Sequence, residues 1–90
     1  MKRKKGLVLR EVCGQNVILG EGLDAVDFSN MIAINGTSAF LFEEAGRQEN
    51  FTAESLAESL VKEYDVEIQT AIEDTREILS KWLEIGVIEQ

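Results

Sequence analysis

Two short apolar-rich segments, Leu7 to Val12 and Asn16 to Leu19, are of strand length, and Cys13-Gly14-Gln15 between them reads as a tight turn. They predict a β-hairpin. Residues 20–29 carry two glycines and scattered acids and predict a loop, with Phe28 packing beneath it. Met31 to Ile34 is a third apolar run of strand length, closed by Asn35-Gly36. From Thr37 the period changes. Ala39, Phe40 or Leu41, Phe42 and Ala45 form a stripe at helical spacing that predicts a helix ending near Gly46, capped by Thr37 or Asn35.

Thr52 is a good N-cap for a second helix, with Glu54 in its first turn. Phe51 before the cap and Leu56 after it are spaced as a hydrophobic staple. Leu56, Leu60 and Tyr64 continue its buried face. Asp65 is expected to cap a third, longer helix with Glu67 in its first turn. The stripe of that helix is the clearest in the chain: Ile68, Ala71, Ile72, Thr75, Ile78, Leu79, Trp82 and Leu83. Ile68, Thr75, Leu79 and Trp82 are its expected core. Gly86 is a left-handed stop, and Val87 and Ile88 beyond it can fold back to close the core.

The order β-β-β-α-α-α predicts an α+β fold: a small winged helix-turn-helix with a three-stranded antiparallel sheet followed by three helices. Ninety residues fit a single domain over 1–90. Residues 1–5, Met1-Lys2-Arg3-Lys4-Lys5, are expected to be a disordered, solubilising start. The apolar stretch after them ends at Arg10 and Glu11, shorter than a signal-peptide core, so a cytoplasmic location with no membrane partner is expected.

Charge narrows the function further. The chain carries net −8, yet four of its nine basic residues lie in the first five positions. The remainder holds five basic and 17 acidic side chains, a surface that repels phosphates and argues against a nucleic-acid partner. There is no histidine and one cysteine, Cys13. That composition removes the usual transition-metal ligand sets and the Cys/His or Ser/His nucleophilic pairs. No metal, no cofactor and no enzymatic activity are expected. Cys13 itself is expected to be a small packed residue rather than a reactive thiol.

Four segments carry a resemblance to the PqqD-like family. Leu9 to Gly14 resembles its first strand and turn. Ile32 to Phe40 resembles its third strand running into the first helix. Leu56 to Val66 resembles its second helix and acidic turn, and Leu79 to Ile88 the close of its third helix. Two positions depart from the family pattern: Glu44-Ala45-Gly46-Arg47 stands where Asp-Gly is frequent, and Phe42 lies where Trp is common. The resemblance implies a recognition element that binds the leader of a ribosomally made precursor peptide. Such an element presents the peptide to a modifying enzyme, often of the radical-SAM type. In the family the leader adds as a strand beside the third strand and lies against the third helix.

On that basis Met31, Ile32, Ala33 and Ile34 are the candidate docking edge. The third helix offers two margins, Ile72, Arg76 and Leu83 on one side and Ala71, Ile78 and Ile85 on the other. Ile72 and Arg76 are favoured as peptide contacts, because an arginine beside an apolar margin can pair with an acidic leader residue. The alternative function is a winged-helix DNA-binding regulator. Against it, the helix that would enter the groove carries Arg76 and Lys81 opposed by Glu67, Glu73, Asp74, Glu77 and Glu84.

Overall fold

The computed structural model describes residues 1–20 and 32–90. The expected packing of Phe28 and the position of Met31 lie outside the described residues. Cys13 and Gly14 both have positive φ, 51° and 80°, as the two central residues of a tight right-twisted hairpin require. They join β2 (Leu7–Val12) to β3 (Gln15–Gly20) in antiparallel register, Val12 opposite Gln15 and Leu7 opposite Gly20. Cys13 is exposed at the hairpin tip rather than packed, since the turn points away from the core. β4 (Ile32–Ile34) pairs antiparallel with the other side of β3, so the sheet runs β2-β3-β4.

Helix α1 (Gly36–Gln48) is capped by Asn35, whose side-chain oxygen accepts from the Ser38 N–H at 2.8 Å. It runs two residues past Gly46, which is not its stop. Gly46 instead leaves room for Arg3: a Cβ there would collide with the guanidinium, 2.9 Å from Cζ. Helix α2 (Ala53–Tyr64) opens on a reciprocal cap. Thr52 Oγ1 accepts from the Ser55 N–H at 3.0 Å, and Ser55 Oγ accepts from the Thr52 N–H at 2.9 Å. Phe51 and Leu56, the staple pair, are both buried in the core.

Asp65 does not cap α3 (Ile68–Ile85). It closes α2 in the left-handed conformation, its N–H bonded to the Val61 carbonyl, and the N-cap of α3 is Glu67 without a side-chain bond. Three residues are needed to turn the chain between the helices, so α3 starts later than Asp65 would allow. Ile68 is therefore its first residue and stands 44% exposed, not in the core. Tyr64 also escapes burial and packs edge-on against Phe40 at the surface. The rest of the stripe holds. Ala71, Thr75, Leu79 and Trp82 are buried, with Trp82 edge-on to Phe42 at 6.1 Å. Gly86, at φ 86°, ends α3, and Val87 and Ile88 return to the core.

The basic start is ordered, contrary to its composition. β1 (Lys2–Arg3) pairs antiparallel with β5 (Ile88–Glu89), a second small sheet that clasps the two ends of the chain. The Met1 amine donates to the Phe51 carbonyl at 3.0 Å, and the Phe51 N–H donates to the Met1 carbonyl at 2.9 Å. Arg3 lies over the Phe42 ring, 4.1 Å from its centre, and donates to the Phe42 carbonyl at 3.1 Å. These contacts outweigh the repulsion among four neighbouring cations. No described helix is long and apolar enough to cross a membrane.

Candidate peptide-docking edge

The two-residue hairpin fixes which backbone groups of β4 are free. In such a hairpin the residues flanking the loop form a hydrogen-bonded pair, and bonded and non-bonded pairs alternate from there. Val12 and Gln15 are thus bonded, as are Arg10 with Val17 and Val8 with Leu19. Asn16 and Ile18 turn their N–H and C=O groups the other way, toward β4. Their partners there are Ile34 and Ile32, while Ala33 stands opposite Val17. Ile32 and Ile34 therefore use their backbone groups within the sheet. Ala33 directs its N–H and C=O outward, to an edge that no described strand covers.

The side chains follow the same alternation. Ile32 and Ile34 are half-buried and pack against the core, and Ala33 is exposed on the opposite face. Beyond the open edge lies α3. Ile32, Ala33, Ile34, Asn35 and Ser38 form one wall of a groove of about 330 Å³; Ile78, Lys81, Trp82 and Ile85 form the other. Trp82 belongs to both the core and the groove. Ile85 leaves 45% of its surface exposed, an uncovered apolar contact on the side of α3 that also carries Ile78 and Trp82.

The structure separates Arg76 and Ile72 from this groove. Arg76 Nη2 sits 3.2 Å from Glu54 Oε2, so this flank of α3 faces α2. Ile72, one turn before Arg76, is half-buried against the core. The margin beside β4 is the other one, Ile78 and Ile85, with Lys81 between them. A stripe in sequence gives the width of a buried face but not which neighbour lies on each flank: Arg76 stands on the α2 flank, and Ile78 and Ile85 stand beside β4. Lys81, which lines the groove, was not among the candidates drawn from the sequence. The steps 78, 81 and 85 were the available signal, a charged residue bracketed by apolar ones on one helical ridge.

An antiparallel sheet that lays one open edge against the last helix of a helix-turn-helix defines the class: a small α+β domain of winged-helix type. The sequence matches the family described as coenzyme PQQ synthesis protein D (PqqD) over residues 15–88, and the chain belongs to that family. Among solved structures it is similar to TbiB1 in complex with the TbiA(beta) leader peptide. The TM-score is 0.74 at 16% identity, over 99% of this chain and 95% of that one. At that identity the likeness is one of fold. Comparison with curated proteins finds no match.

Proposed function

We propose that the chain is a peptide-binding accessory protein, not an enzyme. It takes the leader of a ribosomally made precursor peptide as a fourth strand on β4 and presents that peptide to a separate modifying enzyme of the radical-SAM type. The observation that carries this reading is the outward-facing backbone of Ala33 beside the half-open groove lined by Ile78, Lys81 and Ile85. Membership of the PqqD family and the shared fold with a leader-peptide complex support it. Backbone bonds along the edge supply affinity with little dependence on sequence, and side chains entering the groove supply the selection.

Two steps test this. Peptides retained by the immobilised chain from extracts of its native cell are identified by mass spectrometry, and the recovered leader is then synthesised. Titrated into isotope-labelled protein, it should move the amide signals of Ala33, Ile78, Lys81 and Ile85. Shifts confined to the α2 flank around Glu54 and Arg76 would refute docking on β4. Loss of the modifying enzyme's activity toward its precursor when this protein is omitted would support the presentation role.

A further inference from the structure

The wall that α3 offers to β4 is graded in charge along its length. Asn35 and Thr37, just beyond the end of β4 at the start of α1, share a second hollow with Asp74, Glu77, Ile78 and Lys81. The opposite end of the groove, nearer Ile32, is apolar, with Trp82 and Ile85. Lys81 lines both hollows and stands between the acidic and apolar ends. α3 thus runs back past β4, its earlier residues beside the strand's end. Arg76, the other cation of α3, is engaged by Glu54. Among the described residues Asp74, Glu77 and Lys81 make no ion pair or side-chain hydrogen bond, so all three charges are available to a ligand.

From Glu77 to Ile85 the helix rises about 12 Å at 1.5 Å per residue. A strand laid beside it covers that distance in about four steps of 3.3 Å, which is five residues. Alternate side chains face one side, so three of the five can face α3: one near Asp74 and Glu77, one near Lys81, one near Ile85. We propose that this groove, on the peptide-docking function given above, selects a segment with a carboxylate facing Lys81. A cation lies two residues to one side of that carboxylate and an apolar side chain two residues to the other. Lys81 is the specificity-determining residue. A strand antiparallel to β4 starts at the Asn35 end, so it reads basic-x-acidic-x-apolar from its N-terminus, and a parallel strand reads the reverse.

The protein as a whole repels acidic ligands at long range. Within the groove that field is secondary, because exposed charges farther apart than about 8–10 Å are largely screened at physiological salt. Local complementarity decides the register, and like charges brought together reject the wrong one.

The test is a display library of random nine-residue peptides selected on the immobilised full chain. Wild-type protein should enrich the basic-x-acidic-x-apolar pattern or its reverse. Lys81→Glu should replace the acid in that pattern by lysine or arginine. One enriched peptide should bind Lys81→Glu about tenfold more weakly, and changing its acid to lysine should restore binding. The amide shifts of Ala33 in wild-type protein report whether the peptides dock on β4, so no folding-sensitive variant is needed. Peptides that shift Ala33 but show no charge pattern, or a pattern unchanged in Lys81→Glu, overturn the charge selection and leave the docking function intact. No enrichment, or enriched peptides that leave Ala33 unmoved, overturns the docking function itself.

Discussion

Proline scanning of β4 tests the backbone assignment, since proline removes the N–H of the residue it replaces. The register assigns the N–H groups of Ile32 and Ile34 to β3 and that of Ala33 to the open edge. Ile32→Pro and Ile34→Pro each delete an internal ladder bond and strand an acceptor on β3, for about 1–3 kcal/mol. Each also loses a half-buried isoleucine from the margin of the core. Ile32→Ala and Ile34→Ala measure that packing part alone, and the proline variants should exceed them by the backbone cost. Ala33→Pro deletes no internal bond and no buried side chain, so its cost should stay below about 1.5 kcal/mol, mainly from bending the strand toward the φ of proline. Peptide binding should show the opposite order. Ala33→Pro removes the outward donor and places a ring on the edge, and a loss of about 1.4 kcal/mol is tenfold in affinity. Urea titration followed by Trp82 fluorescence gives the stabilities, and titration with the recovered leader gives the affinities. If Ala33→Pro destabilises the fold as much as Ile32→Pro does, the parity is wrong. If it folds and binds the leader like wild type, β4 is not the docking edge.

Trp82 is 3% exposed and meets Phe42 edge-on, so Trp82→Ala should cost about 3–5 kcal/mol in denaturant titration followed by circular dichroism; a loss below 1 kcal/mol would contradict its place in the core. Gly46→Ala should destabilise the wild type, because the added Cβ meets Arg3; in an Arg3→Ala background it should stabilise by up to about 1 kcal/mol, as alanine does within a helix, and equal effects in both backgrounds would refute the contact. Thr75 is fully buried and its Oγ1 has no hydrogen-bond partner among the described residues, so Thr75→Val should raise stability by about 1 kcal/mol and the Tm by about 4–8 °C; a fall in Tm would reveal a bond to the hydroxyl. No sequence-specific duplex should bind below micromolar concentration at physiological salt in a gel-shift selection, and a tight specific site would overturn the charge argument against DNA.

Elements whose sequences carry their own local signals were legible. The hairpin followed from strand segments around a glycine turn, the start of α2 from Thr52 and Phe51, and the end of α3 from Gly86. Misreadings fell where distant contacts override a local preference. Asp65 is as good an N-cap as sequence offers, but α2 needed a left-handed residue to end, and that use came first. Gly46 resembled a stop because nothing local reveals that Arg3 will cross the helix there. The four cations at the start read as solvated, although Arg3 finds an aromatic face and Lys2 a strand partner at the far end of the chain. The site divides the same way. Ile32 to Ile34 was legible as an edge candidate, whereas the choice of margin on α3 depends on how α2 and β4 flank that helix, which no periodicity encodes.

The helix-turn-helix itself invites a different function, DNA binding, and the charges of its second helix argue against that function. A helix read into DNA must present cations toward phosphates and donors toward bases. Within α3, Arg76 and Lys81 stand against Glu73, Asp74, Glu77 and Glu84, and Arg76 is occupied by Glu54 of the preceding helix. What remains exposed is acidic on one flank and, on the other, a ridge of Ile78, Lys81 and Ile85 turned toward β4. That ridge faces a backbone edge that no described strand covers. An edge of this kind is a liability to be covered, and its described part, Ile32–Ile34, is three residues long. On the docking function proposed above, the described edge offers the outward N–H and C=O of Ala33, and side-chain contacts with the helix opposite add to them; the strand then sets the register and the ridge supplies the selection.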